Sequence, residues 1–427
     1  MKDIVIKIAD KGSNLIVMDS TYYSDKLVYQ DHLSSSITYE KTNLNFDKLV
    51  FKNLLKMIDK HKCLTQNEID YITKFEWKSS IFYVIPKIHK CKEIIKKVQE
   101  SNSLVIEMQP PIDLKGRPII AGIDSPRSHL SQFLHVILSP MVRKQKTYIK
   151  DDWDFLKIPR KVELDSIILT CDIVNLYTTI PHNLGLEALK FWVEKHKILI
   201  PERITTNFII ESASFILKNN NFLFDNQLFH QITGTAMGTD FAPDYACLSI
   251  GFLEETILFP KILPRLFSND EVHTIEQFYF RYVDDGFNIW PKHLDINKFK
   301  LSLAELNNSI TFTIDYGIEL VEKENIYNII NFIDISVIFQ NNKYIKTDIF
   351  YKKTNTHDYL NFNSHHPYHT KKNIPYSLAK RIIVFTSDYI TENLRLAELK
   401  LWLKECNYPD IVIEKAFHNA KLKGPAQ

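Results

Sequence analysis

Glycine is scarce in this chain, at ten residues in 427. Any two glycines a few positions apart therefore mark a place where backbones must approach closely. Cysteine is scarcer still. Cys63, Cys91, Cys171, Cys247 and Cys406 are scattered and form no CxxC pair, which excludes a disulfide framework and fits a reducing compartment. No apolar run reaches the roughly 18 residues of a membrane span, so no membrane partner is expected. The segment Met1–Asp10 alternates apolar and charged residues and lacks the core of a signal peptide. Repeats and low-complexity tracts are absent. Excess charge of one sign is absent too, at a net +2. What is abundant is hydrophobic and aromatic residues, 45% and 12%, in a chain long enough to bury a large core and to hold more than one subdomain.

The most informative stretch is Tyr279-Phe280-Arg281-Tyr282-Val283-Asp284-Asp285-Gly286. Phe278, Phe280 and Tyr282 share one face of a period-2 pattern; Tyr279, Arg281 and Val283 share the other. Asp285-Gly286 is a strong hairpin-turn dipeptide, with Phe287-Asn288-Ile289-Trp290 as the returning strand. A hairpin here holds two carboxylates at its tip with no lysine beside them. Turn chemistry alone favours Asp and Gly, but adjacent like charges repel, and a divalent cation that prefers carboxylate oxygen resolves the conflict. A third acid, Asp172, closes the apolar run Ser166–Cys171, which reads as an inner strand. A helix follows the Pro181 turn, with Asn183 as N-cap and Leu184, Leu186, Leu189 and Trp192 on its apolar face. A strand-end carboxylate beside a hairpin tip lets Asp172, Asp284 and Asp285 share two metal ions, the arrangement that suits in-line displacement at phosphorus.

Three ordered segments resemble the palm motifs of reverse transcriptases, most closely those of Penelope-like retroelements. Asp172-Ile173-Val174-Asn175-Leu176-Tyr177 through His182 resembles the first. Gly234-Thr235-Ala236-Met237-Gly238-Thr239-Asp240-Phe241-Ala242-Pro243 resembles the second, and Tyr282-Val283-Asp284-Asp285 the third. Ile85-Pro86-Lys87-Ile88-His89-Lys90 and Gly116-Arg117-Pro118-Ile119-Ile120 are similar to the fingers motifs. Phe332-Ile333-Asp334-Ile335 is similar to the primer-grip region, where the family more often has Leu at the Ile333 position. His366–Lys371 and Ala9-Asp10-Lys11-Gly12 also have the family's look.

The resemblance implies an RNA-directed DNA polymerase that uses Mg²⁺ or Mn²⁺, an RNA template, a DNA primer and deoxynucleoside triphosphates, and acts in the nucleus. It implies Asp172 and Asp284 as main metal ligands with Asp285 secondary. Tyr177 would lie under the nucleotide sugar, where its ring excludes a 2′-hydroxyl. Ile173, Gly234, Met237, Gly238 and Pro243 would line the nucleotide and its base pair, and Lys87 and Arg117 would grip the triphosphate, since phosphate recognition needs cations. Lys90 is a weaker candidate. His365, His366 and His369 raise zinc by proximity, but no cysteine or second acid cluster accompanies them, and the resemblance gives them a structural role. The competing reading is a catalytically inactive, retroelement-derived nucleic-acid-binding protein. Many relatives carry a GIY-YIG endonuclease after the polymerase; no such motif is read here, so the chain is either a fragment or an endonuclease-free type.

The expected fold class is α+β with a right-hand polymerase architecture: an N-terminal region and fingers over 1–161, a palm with an antiparallel sheet over 162–340, and a primer-grip hairpin and helical thumb over 341–427. The first 45 or so residues read as strands about a turn at Lys11–Asn14. Thr65-Gln66-Asn67-Glu68 reads as a capping box, and 128–146 as an amphipathic helix kinked or ended near Pro140. A helix over about 243–258 has Pro in its first turn. Asn341-Asn342 reads as a hairpin turn, and helix is expected after Pro375, with Leu396, Leu399 and Leu403 on one face. From Lys343 to Gln427, fourteen Lys plus Arg face eight Asp plus Glu, a net of +6 that leaves −4 for the rest. A basic C-terminal part beside an acidic centre suits a surface that grips phosphates.

Overall fold

The computed structural model describes residues 3–12, 14–34, 37–42, 47–101, 103, 105–162, 165–322 and 325–422. Ser13 of the expected first turn, and 423–427, lie outside the described residues.

The run Ser166–Ile173 is indeed an inner strand, and it is the centre of the molecule. Phe312–Asp315 pairs with it on one side and Asp285–Pro291 on the other; Tyr279–Tyr282 completes a four-stranded antiparallel sheet. Its side chains alternate between two cores, which is why the sequence is apolar at nearly every position. Leu169, Cys171 and Ile173 pack into a core built largely from helices, including His182–Lys195, Thr206–Lys218 and Phe241–Leu253. Ile168, with Phe287 and Ile289 of the neighbouring strand, packs into a second core. That core is shared with the last three strands of a four-stranded meander (Ile318–Glu322, Asn325–Phe332, Ile335–Gln340, Tyr344–Ile349) and with the C-terminal helices Tyr368–Phe385, Tyr389–Glu405 and Asp410–Leu422. The helix Phe241–Leu253 is buried at every position but Pro243, as an all-round apolar helix must be.

The N-terminal part is a five-stranded sheet in the order Tyr39–Thr42, Gln227–Gln231, Asn221–Phe224, Ile81–Pro86, Gly116–Ala121, over a third core. A two-stranded hairpin, Ile4–Ile8 with Leu15–Asp19, stands beside it. Among the described residues no helix is long and apolar enough to cross a membrane.

Several local readings hold. Thr65 and Glu68 form the capping box of helix Gln66–Thr73. Asn341 and Asn342 take φ +52° and +53° in the hairpin they were expected to make, since Asn tolerates the left-handed region. Leu396, Leu399 and Leu403 are all buried.

Three others are corrected. Tyr22–Leu33 is a π-helical segment rather than strand, burying Tyr23, Leu27, Val28 and Leu33 on one face. Asn183 is not the cap of its helix, which starts at His182 with Pro181 as N-cap. Pro375 does not open a helix; it lies inside Tyr368–Phe385, buried. The helix expected to kink or end near Pro140 does end there, since Ser128–Val142 stops two residues after it.

Candidate active site

The acid hairpin forms with a shifted register. Asp285 is already paired, opposite Tyr282 on one side and opposite Asp172 on the other, so the turn is Val283-Asp284 and not Asp285-Gly286. The shift is decided by the central strand: Gly286 pairs Cys171 and Phe287 pairs Thr170, which places Phe287 in the second core. The consequence is strain. Val283 takes φ +53°, a conformation that a β-branched residue adopts only when its surroundings impose it, at a cost of roughly 1–3 kcal/mol.

The structure thus brings the three expected acids to one end of one strand. Asp172 and Asp285 are directly opposed in an antiparallel pair, where Cα atoms stand roughly 4.5–5.5 Å apart. The Asp284 carbonyl accepts the Ile173 N–H at 3.1 Å. Burial first, and then Asp284 and Asp172, push the Asp285 carboxyl up to about 6. Burial and then Asp284 raise Asp172. Among the described residues no group of three or more His, Cys, Asp or Glu side chains stands in metal-holding geometry. The chemistry of the three side chains suits a hard divalent cation, because all are carboxylates and a cation between them would oppose both the burial and the mutual repulsion.

After Ile173 the chain turns at Asn175, φ +52°, into the short helix Leu176–Thr179, which carries Tyr177. The phenol is raised by burial, then by Cys247 and Asp284. Ile173 itself is 2% exposed and packs into the helical core, so it reaches the site through its backbone. The glycine loop fastens this turn to the N-terminal sheet. A Cβ on Gly234 (φ +70°) would sit 2.3 Å from the Tyr177 carbonyl oxygen, and one on Gly238 (φ +116°) 2.6 Å from that of Ile120. The Thr235 N–H donates to the Tyr177 carbonyl at 2.6 Å, and the Ile120 N–H to the Met237 carbonyl at 2.9 Å. The close approach inferred from two glycines in five positions is therefore present at both. Pro243 is exposed in the first turn of the following helix.

Arg117 lies in the antiparallel pair Ile81–Pro86 and Gly116–Ala121, opposite Ile85, and Lys87 follows directly on the first of these strands. Both lie near the acids: Asp284 is among the charges acting on Arg117, and Asp172 is among those acting on Lys87. Lys87 is lowered by burial first, then by Arg117 and Lys90. By contrast, His365, His366 and His369 are exposed, far along the chain at the start of Tyr368–Phe385.

Two features were not anticipated. Asp10 grips Arg117 through Oδ1 to Nε at 2.5 Å and Oδ2 to Nη2 at 3.2 Å. Beneath the acid turn lies a buried ion pair: Arg281 Nε donates to Glu254 Oε1 at 2.7 Å, with side chains 1% and 2% exposed. Glu254 also accepts from Arg281 Nη2 (3.1 Å), Thr147 Oγ1 (2.7 Å) and the Tyr279 hydroxyl (3.0 Å). Arg281 Nη2 reaches Gln145 Oε1 at 2.7 Å, and Nη1 donates to the carbonyl of the strained Val283 at 3.0 Å. The signal was a charged residue on the same strand face as Tyr279, with an acid in reach only through the fold.

A family model described as the animal helix-turn-helix domain matches residues 358–418, the C-terminal helices and the segment leading into them. No curated protein matches the chain in sequence. In structure the chain is similar to telomerase from Candida albicans in complex with a TWJ fragment of telomeric RNA (TM-score 0.55, 10% identity, 100% of this chain and 64% of that one). It is also similar to apo telomerase from Candida tropicalis (0.52, 12%, 99% and 66%) and to the same enzyme with a TWJ fragment (0.51, 11%, 98% and 61%). The chain spans under two thirds of the length of these telomerase chains. At such identity the likeness establishes fold. The chain has the mixed helix-and-sheet fold found in these telomerase chains.

Proposed function

We propose that the chain is an RNA-directed DNA polymerase of retroelement origin, of the Penelope-like group, that adds deoxynucleotides to a primer 3′ end in the nucleus. The observation that carries the reading is the pairing of Asp172 with Asp285 beside the Asp284 turn, near Lys87 and Arg117. In this reading 1–161 forms the fingers, 162–340 the palm, and 341–427 the primer-grip hairpin and thumb.

Mg²⁺ or Mn²⁺ held by Asp172, Asp284 and Asp285 would supply an activated primer hydroxyl and neutralise charge at the reacting phosphate. The residues of the chain do the rest by positioning. Arg117, its fork already oriented by Asp10, and Lys87 bind the triphosphate. Tyr177 lies beneath the sugar and rejects a 2′-hydroxyl. The loop Gly234–Gly238 sets its backbone against the templating base pair. The basic C-terminal part, net +6 over Lys343–Gln427, holds the A-like heteroduplex by its phosphates.

The test is extension of an oligo(dT) primer on poly(rA) with Mg²⁺ and dTTP. Extension supports the polymerase reading. Binding of the duplex without extension by folded protein overturns it in favour of an inactive nucleic-acid-binding protein.

A further inference from the structure

The turn of the N-terminal hairpin touches the segment that follows strand Tyr344–Ile349. The Asp10 N–H donates to the Pro86 carbonyl at 2.9 Å, and the Asp10 carboxylate holds Arg117. Four residues on, Asn14 Nδ2 donates to the Thr354 carbonyl at 2.8 Å, a contact that spans 340 positions of sequence. A Cβ on Gly12 (φ +86°) would lie 3.7 Å from the same oxygen. The turn therefore bridges the N-terminal sheet and the segment after strand Tyr344–Ile349.

Two lysines ride on this bridge. Lys11 lies between Asp10 and Gly12, and Lys352 two residues before Thr354. Lys11 is among the charges acting on Asp285, and Lys352 is the strongest charge acting on His89. Lys352 is lowered by burial first and then by Lys11 and Lys90. Lys87 and Lys90 stand in the same neighbourhood, beside each other and Asp172. Among the described residues none of these four lysines has an ion-pair partner within 4 Å. The acid of the bridge, Asp10, is committed to Arg117. The anionic groups facing the cluster are Asp10, Asp172, Asp285 and Asp334, and the cationic ones are Arg117 and the lysines themselves.

Crowded cations without fixed counter-charges, beside a site for phosphoryl chemistry, are suited to a polyanion. We propose that Lys11 and Lys352 form, with Lys87 and Lys90, a polyphosphate seat that closes the acid site, latched by the Asn14–Thr354 hydrogen bond. Its ligand is the triphosphate of a nucleotide, an assignment that rests on the polymerase reading; free tripolyphosphate shares the chemistry. The lysine ammoniums act as point charges on the distal phosphates, while Arg117, oriented by Asp10, supplies the directional contact.

The experiment titrates the full chain with inorganic tripolyphosphate by calorimetry, and separately measures kcat and KM for dTTP in primer extension. Lys11→Ala and Lys352→Ala are each expected to weaken tripolyphosphate binding about tenfold and to raise KM by a like factor, with kcat and RNA–DNA duplex affinity unchanged. Lys11→Arg restores binding, Asn14→Ala gives a smaller loss, and the exposed neighbour change Lys353→Ala gives none. Tripolyphosphate binding unchanged in both alanine variants, or absent in the parent, overturns the seat. So does a loss confined to duplex affinity, which would make these lysines backbone contacts. A parent that binds tripolyphosphate through Lys11 and Lys352 but never extends a primer sinks the polymerase reading and leaves the seat. A parent that extends with unchanged KM in both variants does the reverse.

Discussion

Glu254→Gln removes the carboxylate that faces Arg281 while keeping its shape. In the parent, Glu254 accepts four hydrogen bonds, two of them from a guanidinium whose side chain is 1% exposed. With the charge gone, Arg281 remains buried against neutral acceptors only: the new amide oxygen, Gln145 and two backbone carbonyls. Removing one member of a buried pair costs roughly 3–5 kcal/mol, because the other is left as an uncompensated charge. That is a large part of the 5–15 kcal/mol that ordinarily separates folded from unfolded. Replacing both members, Arg281→Met with Glu254→Leu, leaves no buried charge and is expected to recover most of the loss. The assay is urea denaturation of the parent and Glu254→Gln, beside the cycle closed by Glu254→Leu, Arg281→Met and their double variant. The pair also supports function through Arg281 Nη1, which holds the carbonyl of Val283 in its strained turn. The double variant should therefore regain stability without regaining full primer extension. A Glu254→Gln loss below about 1 kcal/mol, the size of an ordinary surface change, would refute the reasoning.

Gly234→Ala places a methyl 2.3 Å from the Tyr177 carbonyl at φ +70°, so it should destabilise by well over 1 kcal/mol, read as a lowered thermal midpoint. If Tyr177 underlies the nucleotide sugar as proposed, Tyr177→Val should reduce the preference for dTTP over UTP at least about tenfold, or about 1.4 kcal/mol, in steady-state incorporation. His32 is held down to about 4 by burial. Its folded value lies below its unfolded 6.5, so its contribution is full above pH 6.5 and lost as pH falls toward 4. The loss approaches about 3 kcal/mol. Urea midpoints at pH 7, 6 and 5 should fall in the parent and flatten in His32→Phe.

The site was legible in the chain because its residues are carried on short, strongly patterned pieces. An apolar run closed by Asp172, an aromatic alternation closed by two acids, and two glycines in a glycine-poor chain each fix local geometry. What was not legible depended on partners distant in sequence. The turn moved from Asp285-Gly286 to Val283-Asp284 because pairing with Ser166–Ile173 outweighs turn preference. Tyr22–Leu33 coils, although its residues suit strands, because four of them bury on one face. Pro375 stays within a helix because that helix packs against Asp410–Leu422 and the last meander strand, contacts that outweigh one lost backbone donor. Arg281 and Asp10 gave no local sign of their partners, which lie 27 and 107 residues away.

The most direct measurement is single-nucleotide extension of an RNA-templated DNA primer by the parent and by Asp284→Asn, with duplex affinity measured for both. The account predicts Mg²⁺-dependent extension by the parent, equal duplex binding by the two proteins, and extension by the variant reduced by several orders of magnitude. Equal extension by parent and variant would contradict it, because phosphoryl transfer would then not depend on the acids that Ser166–Ile173 and its neighbouring hairpin bring together.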